Sequence, residues 1–193
     1  MVGQVRILVS RHTAFYSPLI ATIAGGFLRE EGLASTYGVK PPGRGTFDII
    51  AAGEVDVVQS AVSSNWVRME KGIVGLPVHF AQINRRDGFW VTARTAGSFE
   101  WRDLEGKTLL ADHGPQPMAM LRYAAVQHGV EWSKVRLVDA GGPGEIDIAF
   151  RRGQADFAHQ QGPAPHQLEH DGVGKVVASV GKAIPPVAFS SMM

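Results

Sequence analysis

The sequence predicts an α/β fold built from two similar βαβαβ lobes that flank a ligand cleft. Three observations predict it. Short apolar runs alternate with stretches of helical periodicity, the pattern of parallel strands covered by helices. The helical stretches stop at glycine, as helix C-termini do. The chain also repeats itself at an offset of roughly one hundred residues. Ala51-Ala-Gly-Glu-Val-Asp56 is matched by Arg151-Arg-Gly-Gln-Ala-Asp156, placing Gly53 against Gly153 and Asp56 against Asp156.

Residues 5–10 read as the first strand, followed by a polar and aromatic turn through Tyr16. Ser17-Pro18 reads as an N-cap with proline in the first helical turn. Leu19, Ile20, Ile23, Ala24, Phe27 and Leu28 keep helical spacing until Gly32. Residues 35–40 form the second strand. Thr46 caps a short helix ending at Gly53, and residues 55–59 form the third strand. Residues 78–82 and 89–93 are two strands flanking a polar link. The second unit follows in the same order. Residues 107–111 are a strand, 118–128 a helix stopped by Gly129, and 135–138 a strand. A helix marked by Ile146, Ile148, Ala149 and Phe150 stops at Gly153, and 155–159 is a strand. A short helix to His170 and strands at 176–180 and 185–189 complete the pattern. Residues 1–84 are thus lobe one, 85–183 lobe two, and 184–193 a return strand to lobe one, with the remainder of that lobe absent.

Composition narrows the chemistry. The chain has 193 residues and no cysteine, which removes zinc-finger, iron–sulfur and thiol-nucleophile readings. Its net charge of +1 gives no electrostatic case for nucleic acid. No apolar stretch approaches the ~18 residues of a membrane span. Met1 leads directly into a strand, leaving no room for a secretory leader. The expected location is cytoplasmic if Met1 is the natural start, and periplasmic if a leader has been removed.

In a parallel α/β sheet, ligands sit outside the carboxyl ends of the strands. The loops at those ends carry hydrogen-bonding groups rather than reactive ones. Arg11, His12, Arg44 and His113 supply positive charge, and Phe15, Tyr16 and Trp66 supply flat walls. Ser60, Ser64, Asn65, Gln116 and Gln160 supply hydroxyls and amides, and Gly142 opens a helix N-terminus. That mixture suits a small anionic or heteroaromatic solute. The P-loop pattern, the dinucleotide fingerprint and the nucleophile elbow are all missing from the sequence. His166 and His170 sit four apart but lack a catalytic Glu and a third ligand. No metal or cofactor is expected.

The Phe15-Tyr16 turn before a helix, Gly53-Glu-Val-Asp56, Leu104-Glu-Gly-Lys107 and Gly153-Gln-Ala-Asp156 together resemble the type 2 periplasmic-binding-protein fold. More narrowly, they resemble ABC-transporter solute-binding proteins related to thiamine pyrimidine synthases. The resemblance covers nearly the whole chain, and its motifs are structural. It implies closure of two lobes over sulfonates, nitrate, taurine, pyrimidine precursors or similar solutes, with delivery to an ABC permease. Members are usually longer, with a C-terminal part completing lobe one. Its shortness here implies an exposed apolar face, a homodimer through the incomplete lobe one, or a truncated product. The eukaryotic synthases carry a Cys-rich iron-binding motif, which this sequence lacks. The expectation is therefore a non-catalytic binding protein, with a cytosolic cofactor-biosynthesis enzyme of the same fold as the alternative.

Overall fold

Two five-stranded sheets, one in each of two units, carry the fold in a computed structural model that describes residues 3–95 and 97–193. The first unit takes the chain up to Arg85 and resumes over Ala188–Met193, and the second is Arg86–Val187. Each unit has its own core.

Unit one runs β1 (Gly3–Val9), α1 (Ser17–Ala24), α2 (Phe27–Glu30), β2 (Leu33–Val39), α3 (Thr46–Ala51), β3 (Val57–Ser60), α4 (Trp66–Glu70) and β4 (Ala81–Asn84). Unit two runs β5 (Phe89–Ala93), β6 (Thr108–Ala111), α5 (Pro115–Gln127), β7 (Arg136–Val138), α6 (Pro143–Arg151), β8 (Phe157–Gln161), α7 (Ala164–His170), β9 (Lys175–Ser179) and α8 (Val180–Ala183). The chain then returns to unit one as β10 (Ser190–Met192). No helix among the described residues is long and apolar enough to cross a membrane.

The expected parallel triplets are present. In unit one β1 pairs in parallel with β2 and β3, and in unit two β6 pairs in parallel with β7 and β8. Each triplet is extended by antiparallel strands, giving the orders β2-β1-β3-β10-β4 and β7-β6-β8-β5-β9. Strand alternation splits the side chains between two faces. In unit one Ile7 and Val9 pack with Tyr16 and Leu19, while Val58 packs with Ile49 and Val55. In unit two Leu110 and Ala158 pack with Ile146, Ala149, Phe150 and Leu168.

Some local expectations shift. The first helix breaks at Gly25 and Gly26, because Gly26 takes a left-handed φ of 79°. Ser17 lies inside the helix, its hydroxyl donating to the Ala14 carbonyl, so Tyr16 holds the cap position. Gly45, not Thr46, precedes α3. The last strand forms at Ser190–Met192 rather than at 185–189.

The hundred-residue repeat has a structural meaning. At the end of α3, Glu54 N–H donates to Ile49 O (3.2 Å) and Gly53 N–H to Ile50 O (2.9 Å). At the end of α6, Gln154 N–H donates to Ala149 O (3.1 Å) and Gly153 N–H to Phe150 O (3.0 Å). Both are the same 6→1 and 5→2 closure, which requires the left-handed φ that Gly53 (66°) and Gly153 (80°) adopt. Three residues after each glycine, an aspartate grips the neighbouring strand. Asp56 Oδ2 accepts Arg6 N–H at 2.8 Å while both its oxygens receive the Arg6 guanidinium. Asp156 Oδ2 accepts the N–H and the hydroxyl of Thr108 at 2.8 and 2.7 Å. These bonds hold the Asp56 carboxyl down at about 2 and the Asp156 carboxyl below its ordinary 3.8.

A depressed carboxylate contributes stability above its unfolded pKa and loses it as pH falls through the folded one. Asp156→Ala is therefore expected to lower the stability of unit two by about 1–3 kcal/mol at neutral pH. The deficit should shrink on acidification below 3.8, where the wild-type carboxylate also protonates. Urea unfolding followed across pH measures both.

Candidate ligand-binding residues

The carboxyl edge of unit one is formed by the ends of β1, β2 and β3, together with the start of β10, which runs antiparallel to β3. Arg11 and His12 follow β1 directly. The His12 Nδ1 lies 3.0 Å from the Tyr37 hydroxyl, with the rings edge to face. Phe15 is half-buried and edge-on to both Tyr16 (5.1 Å) and Phe189 (5.7 Å). Tyr16 is a core residue, 5% exposed, with its hydroxyl 2.6 Å from Ser10 Oγ. Its ring packs on Ile7, Val9 and Leu19 rather than standing as an open wall.

Arg44 departs most from expectation. Its guanidinium forks onto Glu54 at 2.7 and 2.9 Å, across the two ends of α3. The pair raises Arg44 and lowers Glu54 through their hydrogen bonds. The pair ties Arg44 to the turn that follows α3, with both side chains half-exposed.

Ser60 ends β3 opposite Ser191. Ser64 Oγ approaches Met193 Sδ at 4.0 Å. Asn65 Nδ2 donates to Pro77 O at 2.8 Å, while its Oδ1 is buried without a partner. Trp66, the first residue of α4, is half-exposed. The structure adds residues to this edge that no local motif marks. His79 Nδ1 sits 2.6 Å from Ser191 Oγ, and Gln59 Nε2 donates to Ser190 Oγ at 3.1 Å. Burial lowers the His79 pKa, so its ring is neutral near pH 7. These contacts join residues 112 and 131 apart in sequence, and only the placement of β10 creates them.

The carboxyl edge of unit two gathers the ends of β6, β7 and β8 and the start of β5. Asp112 is buried and its Oδ1 accepts Gly114 N–H at 2.8 Å, fixing the turn into α5. Exposed His113 lies in that turn, and Gln116 lies in the first turn of α5 between Pro115 and Pro117. Gly142 caps α6, and its carbonyl accepts Ile146 N–H at 3.0 Å. Gln160 lies on β8 opposite Trp90, is 2% exposed, and has a partner for neither amide atom. Trp90 in turn meets His166 edge to face at 4.9 Å. Among the described residues no three His, Asp or Glu side chains could share a metal ion.

Two buried titratable groups lie beside Gln160 in the chain or on the paired strand's entry. His159 is fully buried and stacked on Phe89 at 4.7 Å. Desolvation pushes its pKa down to about 3. Asp87 is buried, with Oδ1 accepting Phe89 N–H at 2.6 Å and Oδ2 unpartnered. Desolvation pushes it up to about 7. The signs oppose one another. The folded state holds the Asp87 proton more tightly than the unfolded chain, so stability falls as pH rises from 3.8 through about 7. It holds the His159 proton less tightly, so stability falls as pH drops from 6.5 towards about 3. Asp87→Asn removes only the first effect. Its stability relative to wild type should climb by about 1.4 kcal/mol per pH unit across Asp87's window and level off above it. Chemical denaturation over that pH range measures the difference.

Comparison with known proteins gives a consistent picture. The family model described as NMT1/THI5 like matches residues 13–191. YtlA of Bacillus subtilis (strain 168), described as a candidate binding protein, is 26% identical over 193 residues, covering 98% of this chain and 58% of that protein. The alkanesulfonate-binding protein SsuA from Xanthomonas axonopodis pv. citri, solved bound to MOPS, superposes with a TM-score of 0.71 at 18% identity. The periplasmic aliphatic sulphonate binding protein SsuA from Escherichia coli gives 0.73 at 14% identity. Each of these two matches covers 98% of this chain and 64% of the other. The periplasmic nitrate-binding protein NrtA from Synechocystis PCC 6803 gives 0.70 at 15% identity, over 100% of this chain and 55% of its own. The fold is that of the periplasmic solute-binding proteins, and the chain spans less than two thirds of the length of these relatives.

Proposed function

The chain belongs to the NMT1/THI5-like family, and on that premise we propose that it is a non-catalytic solute-binding protein for a small anionic or heteroaromatic molecule. It would present the captured solute to an ABC-type permease. We also infer that it self-associates through unit one.

The observation that carries the reading is the unsatisfied amide of Gln160. Its oxygen and nitrogen are both buried at the carboxyl end of β8 without a partner. A buried polar group left unpaired costs about 1–3 kcal/mol. A ligand that both donates and accepts hydrogen bonds offsets that cost, which couples solute capture to the stability of the site. Arg11 at the end of β1 supplies positive charge for an anionic group, and the His12 ring beside it supplies a hydrogen-bonding edge. On unit one Phe15 and Trp66 supply apolar surface and Ser60, Ser64 and Asn65 hydrogen-bonding groups; on unit two His113, Gln116 and the N-terminus of α6 at Gly142 supply hydrogen-bonding groups of their own. Solute names attached to the relatives, sulfonates and nitrate, support an anion as the first class to test.

Titration calorimetry against sulfonates, carboxylates and pyrimidine amines is the test. Saturable binding by one of these classes is expected. Arg11→Ala and Gln160→Ala should each weaken it by roughly 10-fold or more. Arg44→Ala should leave affinity unchanged, because Glu54 already holds that guanidinium. Full affinity in both of the first two variants, or conversion of the solute to product, would contradict the proposal.

A further inference from the structure

Two sets of hydrogen bonds hold the segment that leaves β3 and the segment that enters β4. Asn65 Nδ2 donates to Pro77 O at 2.8 Å. Two residues further on, His79 Nδ1 lies 2.6 Å from the Ser191 hydroxyl, which in turn reaches Ser60 O at 3.4 Å. All of these groups belong to unit one, and Ser60 and Ser191 face each other at the carboxyl end of β3. Each set leaves one atom over. Asn65 Oδ1 and His79 Nε2 are buried and have no hydrogen-bond partner among the described residues. Buried polar atoms are normally paired, so two unpaired ones on joined segments stand out as groups suited to a ligand.

Donor counting fixes the protons. Pro77 O can only accept, so the Asn65 amide turns its nitrogen to it, and the atom left over is an oxygen. Ser191 has one hydroxyl proton. Once that proton goes to Ser60 O, which also can only accept, the Ser191 oxygen is left to accept at 2.6 Å, and the donor there is His79 Nδ1–H. Burial alone holds the His79 pKa below its ordinary 6.5, so the ring carries a single proton near neutral pH. Nε2 is then a bare lone pair. Reversing the chain, with Ser191 donating to Nδ1, would strand an N–H at Nε2 and leave the Ser60 contact unmade. Both leftover atoms are therefore acceptors, and the group that pairs with them is a donor.

Resting on the solute-binding reading above, we propose that His79, held in its Nδ1–H tautomer by Ser191 and Ser60, is a specificity-determining residue that, with Asn65 Oδ1, takes an N–H group of the solute. The solute then carries an amine, ammonium or amide nitrogen beside any anionic group, and a bare anion does not satisfy the site. Ring-nitrogen NMR of the isotope-labelled full chain reads the tautomer without any ligand. A protonated Nδ1 and a bare Nε2 are expected for His79, its signals assigned by their loss in His79→Gln. Ser191→Ala should move the ring toward the other tautomer. A wild-type ring protonated at Nε2 would overturn the proposal. Calorimetry then compares matched pairs, propanesulfonate with aminopropanesulfonate and methylpyrimidine with aminopyrimidine. In at least one pair the aminated member should bind more tightly by roughly 10-fold or more. His79→Leu, with its fold checked by circular dichroism, should erase that preference. His79→Gln, whose Oε1 can accept in place of Nε2, should keep part of it. Saturable binding with equal affinity within each pair, or a preference that survives His79→Leu, overturns the role of His79 and leaves solute binding standing. No binding by any member of the panel overturns the solute-binding reading and this assignment with it.

Discussion

The sheet of unit one depends on a strand of three residues. β10 lies between β3 and β4, antiparallel to both, so β4 reaches the rest of its sheet only through Ser190–Met192. Reciprocal bonds between Val58 and Met193, at 2.7 and 2.9 Å, and the bond from Phe80 N–H to Met192 O at 2.9 Å fix the strand in place. Met192 and Met193 then serve opposite faces, one with Ile7 and Val9, the other with Ile49 and Val58. The two serines before them carry hydroxyls to Gln59 and His79. One segment therefore completes a sheet, joins two cores and supplies two of the polar groups at the carboxyl edge.

The second organising device is the aspartate grip. Asp56 and Asp156 sit at the amino ends of their sheets, opposite to where a ligand would be expected. Their residue types look like chemistry, and their geometry is mechanical. Each follows a helix closed by a glycine and locks the strand beside its own. Division of labour follows. The amino edges hold charge in satisfied bonds, while the carboxyl edge of unit two leaves the amide of Gln160 without a partner.

Much of this was legible in the residues. Apolar periodicity, glycine stops and the repeat led to α/β units with parallel triplets, because those signals are local or recur at a fixed offset. The antiparallel strands were less legible. Residues 185–189 read as the last strand, yet pairing starts at Ser190, where two serines give no alternation to read. Arg44 shows the limit at a site. Its charge is visible in the sequence, but its partner lies at the far end of α3 and is set by the length of that helix. Tyr16 shows the same limit in the core: an aromatic in a loop reads as a wall, and only the packing of α1 on β1 turns it inward. His79 and Ser191 were beyond reach, since strand order rather than sequence proximity brings them together.

The central claim is reversible capture of an unaltered small solute. Native mass spectrometry of the purified chain, with a panel of sulfonates, carboxylates and pyrimidine amines, tests it most directly. The account predicts one solute per chain, bound at a mass equal to that of the free compound and released intact on denaturation. No adduct across the panel, or recovery of the solute in a chemically altered form, would contradict it.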